Sequence, residues 1–326
     1  MNMLRLNVLY LLLHVASSSQ HGTETIETLM PNVLVVKVDR RVFTETQVPL
    51  SCGDYLDTEV IWRKGSKHVG QGNQIRVKVE SMMGGNYSCH NAAGVYLNHT
   101  LVLVQDIQSP NRRCVLEKSH DTDEDEYIRC LAKNYSGIFH CSWKKTEHRM
   151  SAAVVFVQVG RPISCSVDSD GAGLTCQDRD SCPFAEEVSR IDLTVYFRSN
   201  DLLEEYTITP FYIREIVKPD KIHITKVEGN TFQWEYPATW SRPWPYFPLT
   251  FRVKVVHQGA SCDSKEQVFI SETNINETKF TVRPRHNKYR FCLRAKDDLV
   301  DSQWSQWTHH EVKNKPKKHL QVSKPR

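Results

Sequence analysis

The sequence predicts an all-β chain made of three antiparallel sandwiches in tandem. Three observations lead there. Apolar residues alternate with polar ones through Ile75, Val77 and Val79; Val155, Val157 and Val159; Ile191, Leu193, Val195 and Phe197; Phe232, Trp234 and Tyr236; Phe251, Val253 and Val255; and Tyr289, Phe291, Leu293 and Ala295. A period of two turns one face of each run into a core, which is the signature of a half-buried strand. No long stretch carries a helical period, and strands parted by polar turns close their cores as packed sheets without helices. Finally, 326 residues at roughly 100 to 150 per domain make two or three domains.

Composition narrows the function. With 40% hydrophobic and 25% charged residues the chain is globular, neither disordered nor collagen-like. A formal charge of +4 is a weak electrostatic argument for nucleic acid, so no nucleic-acid partner is expected. The histidines are scattered (His68, His90, His140, His257, His286), and neither a Gly-x-Ser-x-Gly elbow nor a Gly-rich phosphate loop occurs. Asp121 to Glu126 reads as a solvated acidic loop. The chain is therefore expected not to be an enzyme and to need no cofactor or metal.

Residues 1–19 set the compartment. Arg5 precedes an apolar run from Leu6 to Ala16, followed by Ser17, Ser18 and Ser19, which is the pattern of a cleavable secretory signal. No later stretch offers about 18 uncharged apolar residues, so a secreted, extracellular product is expected. Ten cysteines in an oxidising compartment read first as disulfides. Asn86, Asn98, Asn134 and Asn276 head Asn-x-Ser/Thr sequons and are candidate N-glycosylation sites.

Each segment carries its own signature. In residues 20–106, Cys52 and Cys89 bracket Trp62, and Tyr87 precedes the second cysteine by two, which is the immunoglobulin pattern of an inter-sheet disulfide with a Trp packed on it. Closing that loop contributes about 4 kcal/mol in the chain-entropy picture. In residues 107–218, Cys130 and Cys141 with Trp143 two residues on resemble the first cysteine pair of the fibronectin type III-like cytokine-receptor module, whose second pair Cys165 and Cys176 would form. Cys182 is left without an obvious local partner, which suggests an intermolecular bond, a free thiol or a pair with Cys114.

Residues 219–312 begin at Lys218-Pro219-Asp220, where proline stiffens the elbow. They end in Trp304-Ser305-Gln306-Trp307-Thr308, and tryptophans three apart share a side only at about three residues per turn. Arg290 and Arg294 alternate with Phe291 and Leu293, which places them on the outer face to interleave with Trp304 and Trp307 in a Trp–Arg ladder. The alternative is a pair of surface tryptophans at a ligand patch. Cys292 shares that outer face and is expected to bond Cys262. The basic tail, residues 313–326, suits heparan sulfate or a solvated terminus.

An immunoglobulin domain, a four-cysteine module and a Trp-Ser-x-Trp fibronectin type III module, in that order and with no spanning segment, resemble the beta subunits of the interleukin-12 and interleukin-23 cytokines. The stretches Lys133–Gly137, Phe211–Asp220 and Trp234–Ser241 carry the resemblance most strongly. It implies a soluble, receptor-like chain that clasps a four-helix-bundle alpha subunit of interleukin-12 or interleukin-23 type, the heterodimer signalling through cell-surface cytokine receptors on lymphocytes. It implies further that Cys182 forms the interchain disulfide, or links two beta chains, and that Tyr135, Glu186, Tyr246 and Asp297 face the alpha subunit. Leu299 and Val300 stand where that family has aromatic residues near the Asp297 pocket, and Thr308 where receptors usually have Ser. A soluble decoy receptor without an obligate alpha subunit would read identically through its domains; Cys182 is the residue that separates the two.

Overall fold

The computed structural model describes residues 26–39, 41, 45–80, 83–107, 113–119, 126–181, 187–240, 247–264, 269–283 and 288–313. The expected signal peptide and the tail beyond Lys313 lie outside them. The chain divides into two compact units, Met1–Ile107 and Gln108–Arg326. No helix among the described residues is long and apolar enough to cross a membrane.

The first unit contains β1 (Ile26–Met30), β2 (Val33–Val38), β3 (Glu45–Ser51), β4 (Ile61–Lys64), β5 (Lys67–Gln71), β6 (Gln74–Glu80), β7 (Gly85–His90) and β8 (Tyr96–Asp106). One sheet runs β1–β2–β8–β7–β4–β5, and β3 pairs with β6 in the other. The β2–β8 pairing is parallel, the others antiparallel. Parallel pairing is open to β2 and β8 because the rest of the domain supplies the long crossover it requires. Thr46, Val48 and Leu50 on β3 are buried and alternate with exposed residues, and Val48 and Leu50 join Trp62, Val79 and Val104 in the core. The Cys52–Cys89 disulfide closes a loop of 37 residues, and Trp62, fully buried, donates its indole N–H to the Gly72 carbonyl at 3.0 Å.

The second unit begins with β9 (Ile128–Leu131), β10 (Ile138–Trp143), β11 (Ala153–Val159), β12 (Ile163–Val167), β13 (Gly173–Asp178), β14 (Ile191–Ser199) and β15 (Leu202–Phe211). A sheet ordered β12–β13–β10–β9 faces strands paired β11–β14–β15. The Cys130–Cys141 and Cys165–Cys176 disulfides each join residues directly opposite one another on adjacent strands. Edge-to-face contacts of Trp143 with Phe197 (5.1 Å) and of Phe197 with Tyr206 (5.4 Å) build the core between the sheets. The valines of β11 form the expected strand but none is fully buried, because β11 is the outer strand and its register slips between Val154 and Phe156.

A short helix, α1 (Ile213–Ile216), leads to β16 (His223–Glu228), β17 (Thr231–Glu235), β18 (Leu249–His257), β19 (Phe269–Ile275), β20 (Lys279–Thr281), β21 (Lys288–Asp297) and β22 (Thr308–Lys313). Sheets β16–β17–β20 and β19–β18–β21–β22 pack through Phe232 stacked on Phe291 at 3.8 Å and Trp234 edge-on to Phe251 at 5.5 Å. Tyr289, Phe291, Leu293 and Ala295 are all buried, as the alternation along β21 requires. Cys292 points to the opposite face yet is equally buried, because the loop after β18 folds over it. That loop carries Cys262, which bonds Cys292, and Lys254 holds it by donating to the Cys262 and Ser264 carbonyls at 3.2 and 2.7 Å.

Cys114 keeps a free thiol, so the alternative pairing with Cys182 is not formed. The thiol donates to the Glu204 carboxylate at 3.1 Å; burial first, and then that carboxylate, push its pKa above the ordinary value. Since the thiolate is the nucleophile, iodoacetamide is expected to label Cys114 slowly in the folded chain and rapidly in urea, followed by peptide mass mapping. Equal rates in both states would show that the carboxylate does not guard it.

Candidate functional site

The turn between β9 and β10 presents Tyr135. Asn134 shapes it: its side-chain oxygen accepts the Ser136 N–H at 2.9 Å, and its amide donates to the Thr239 carbonyl, tying the turn to the following sandwich. Gly137 has φ of +80°, and a Cβ there would lie 2.5 Å from the Ser181 Cβ and 2.8 Å from the Asp178 carbonyl oxygen. Only glycine accepts both that backbone and that proximity. The turn is therefore pressed against Ser181, the residue before Cys182.

The Tyr135 ring stacks on Phe247 (4.6 Å between centres, 17° between planes) and meets the edge of Trp240 at 6.2 Å. Its hydroxyl donates to Asp297. Asp297 ends β21 and has no exposed surface. Its other carboxylate oxygen accepts the Leu299 N–H at 2.8 Å, while its own N–H donates to the Ser302 hydroxyl at 2.9 Å. Burial raises the Asp297 pKa, against the opposing effect of the Tyr135 hydrogen bond. Burial, and then Asp297, push the Tyr135 hydroxyl well above the usual phenol range, so the shared proton stays on the tyrosine. Two residues 162 positions apart thus meet across the elbow between two sandwiches.

Cys182, Glu186 and Tyr246 lie outside the described residues. The chain on either side of Cys182 and Glu186 is well anchored. Arg161 pairs with the buried Asp178 carboxylate and donates to the Ser189 carbonyl and hydroxyl, both at 3.1 Å, clamping the two ends together. Glu187 accepts the Ile213 and Arg214 N–H groups at the start of α1, at 2.6 and 3.1 Å. Between these anchors Val188 is 92% exposed, and beside Asp297 Leu299 is 62% exposed. The result is a rigid aromatic stack around Tyr135, a wholly buried carboxylate bonded to it, and exposed aliphatic side chains at Val188 and Leu299. A cationic side chain can pair with that carboxylate once the Tyr135 hydroxyl gives way. Among the described residues no group of three or more His, Cys, Asp or Glu side chains is placed to hold a metal ion.

The second feature is the outer face of β21. The Arg294 guanidinium lies 4.8 Å from the Trp304 ring centre and 4.3 Å from that of Trp307, with Arg252 a further 4.4 Å contact on Trp304. Arg290 is engaged elsewhere: it pairs with Glu311 at 2.6 Å and donates to the Ala260 carbonyl. The reason is the register, which sets Arg290 opposite Glu311 on β22. Arg252 was missed although it alternates with Phe251 and Val253 just as the β21 arginines alternate with their neighbours. Phe247 and Trp240 were missed as site residues too; both are aromatics close to the expected Tyr246. Of the sequons, Asn86 and Asn276 are exposed, whereas Asn98 and Asn134 are half-buried and hydrogen-bonded.

A family model described as the cytokine interleukin-12p40 C-terminus matches residues 125–199. Curated proteins named interleukin-12 subunit beta are similar over most of the chain. That of Homo sapiens is 31% identical, over 80% of this chain and 84% of its own length. That of Macaca mulatta is 30% identical over the same shares, and that of Mesocricetus auratus 28% identical over 86% and 90%.

Proposed function

The chain belongs to the interleukin-12 subunit beta family, and we propose on that footing that it is the secreted, receptor-like half of a two-chain cytokine. In this reading an immunoglobulin-like domain to residue 106 is followed by two fibronectin type III domains ending at 218 and 312. The elbow between the last two grips a four-helix-bundle alpha subunit, and the heterodimer acts on cell-surface cytokine receptors. The observation that supports this best is the Tyr135–Asp297 pair in its aromatic setting. Rigid tyrosine surface supplies contact area at low entropic cost, and a sunken carboxylate meets a guanidinium with two parallel hydrogen bonds.

Cys182 then makes the covalent link. A non-covalent clasp orients the chains and places the thiols at high effective concentration, and the bond keeps the pair together at the dilution of a secreted signal. The same sulfur can join two copies of this chain. Co-secretion with alpha subunits of interleukin-12 and interleukin-23 type is expected to give a heterodimer band on non-reducing electrophoresis that Cys182→Ser abolishes. A band that persists in the variant defeats the assignment of the sulfur; a chain secreted alone beside every such bundle leaves the decoy-receptor reading. The lysines from Lys313 onward extend the proposal to heparan sulfate, and elution from heparin at ordinary salt counts against that extension.

A further inference from the structure

We infer that in the free chain the Tyr135 hydroxyl holds the place on Asp297 that a partner's guanidinium takes in the complex, making Tyr135 a determinant of how tightly, and with which cation, the partner is held. This rests on the reading of Asp297 as the acid that faces the alpha subunit. Asp297 is fully buried, yet among the described residues it takes part in no ion pair. Its oxygens are met by neutral donors, the Leu299 N–H at 2.8 Å, the Val300 N–H and the Tyr135 hydroxyl. A buried carboxylate satisfied only by neutral groups is a costly arrangement that a cation relieves. The stack of Phe247 and the edge of Trp240 hold the Tyr135 ring so that its hydroxyl stays on that oxygen.

A cation that reaches Asp297 therefore competes with the hydroxyl. A guanidinium has five donors in a flat fork, so once the hydroxyl gives way it can meet both carboxylate oxygens at once. A lysine ammonium is a compact, strongly hydrated charge that meets the carboxylate at one point and must shed more water. The exposed Leu299, whose N–H bonds the carboxylate, offers an apolar surface for the stem of an arginine.

The test uses the full chain carrying Cys182→Ser, so that binding is reversible, titrated with the alpha subunit of interleukin-12. Tyr135→Phe is expected to bind about tenfold more tightly, the equivalent of one hydrogen bond no longer competed for. The gain should vanish in an Asp297→Asn background, a dependence that a general loosening of the elbow would not produce. Phe247→Leu, which loosens the ring without removing the hydroxyl, should give a smaller gain of the same sign and reports on the inference if Tyr135→Phe does not fold. Equal or weaker binding by these variants while Asp297→Asn alone still weakens binding overturns the placeholder and spares the reading beneath it. Unchanged binding by Asp297→Asn overturns the reading and the inference with it.

Discussion

Replacing Asp297 by alanine is expected to weaken capture of the alpha subunit by about 2 to 5 kcal/mol, a loss of roughly 30-fold or more. The size follows from what is left behind. The partner's cation would stay buried without its counter-charge, and that desolvated, unpaired charge sets the cost. The effect should be measured by titration calorimetry in the Cys182→Ser background; a change under twofold would remove Asp297 from the interface.

The same group gives a pH dependence whose sign is fixed. Burial raises the Asp297 pKa above 3.8 in the free chain, and a cation in the complex would lower it again. Binding then releases protons, so affinity is full above the free-chain value and fades as the pH falls through it. For the free chain alone the sign is opposite. The raised carboxyl contributes stability that is fully present below 3.8 and lost as the pH rises through the folded value. The groups that bear on it are Tyr135 and Asp298. Affinity that does not change between pH 4 and 7, chosen as about the range in which a raised carboxyl titrates, would contradict this linkage.

Glu204→Ala is expected to destabilise the second unit by about 3 to 5 kcal/mol, a large share of the 5 to 15 kcal/mol typical of a folded domain. Glu204 is only 2% exposed on β15, and its carboxylate gathers the chain that enters the sandwich. It accepts the Cys114 N–H at 3.0 Å, the Val115 N–H at 2.9 Å and the Tyr206 hydroxyl at 2.6 Å. Tyr206 in turn accepts the Leu116 N–H at 3.0 Å. Alanine strands several buried donors at once, whereas glutamine keeps one acceptor oxygen and should cost less. Urea unfolding followed by tryptophan fluorescence reads both variants. A midpoint for the alanine variant within the scatter of the wild type would mean that water replaces the carboxylate.

Both residues show where reading a sequence stops. Glu204 stands on a strand beside Leu202, Leu203 and Tyr206 and looks like one more polar outward position; nothing local announces that residues 114–116, about ninety positions earlier, will aim their N–H groups at it. Resemblance points to Asp297 and sets Tyr135 on the same partner-facing surface, but gives no sign that the two bond each other. The Arg290 case is similar. Alternation along β21 put it on the outer face, and the register against β22 then gave it Glu311 in place of an indole. Arg252 reached Trp304 from β18, a strand whose position beside β21 no spacing discloses.

The amino-acid order alone determined the all-β character and the faces of the principal strands, because alternation is a local property that burial enforces residue by residue. It also pointed to the four cysteine pairs that form, three through a recognisable spacing and Cys262–Cys292 through the outer strand face that Cys292 occupies. The tertiary structure alone decided which polar groups meet. Hydrogen bonds and ion pairs depend on fractions of an ångström between segments far apart in the chain, and only strand register, loop path and the packing of one sandwich on the next set those distances.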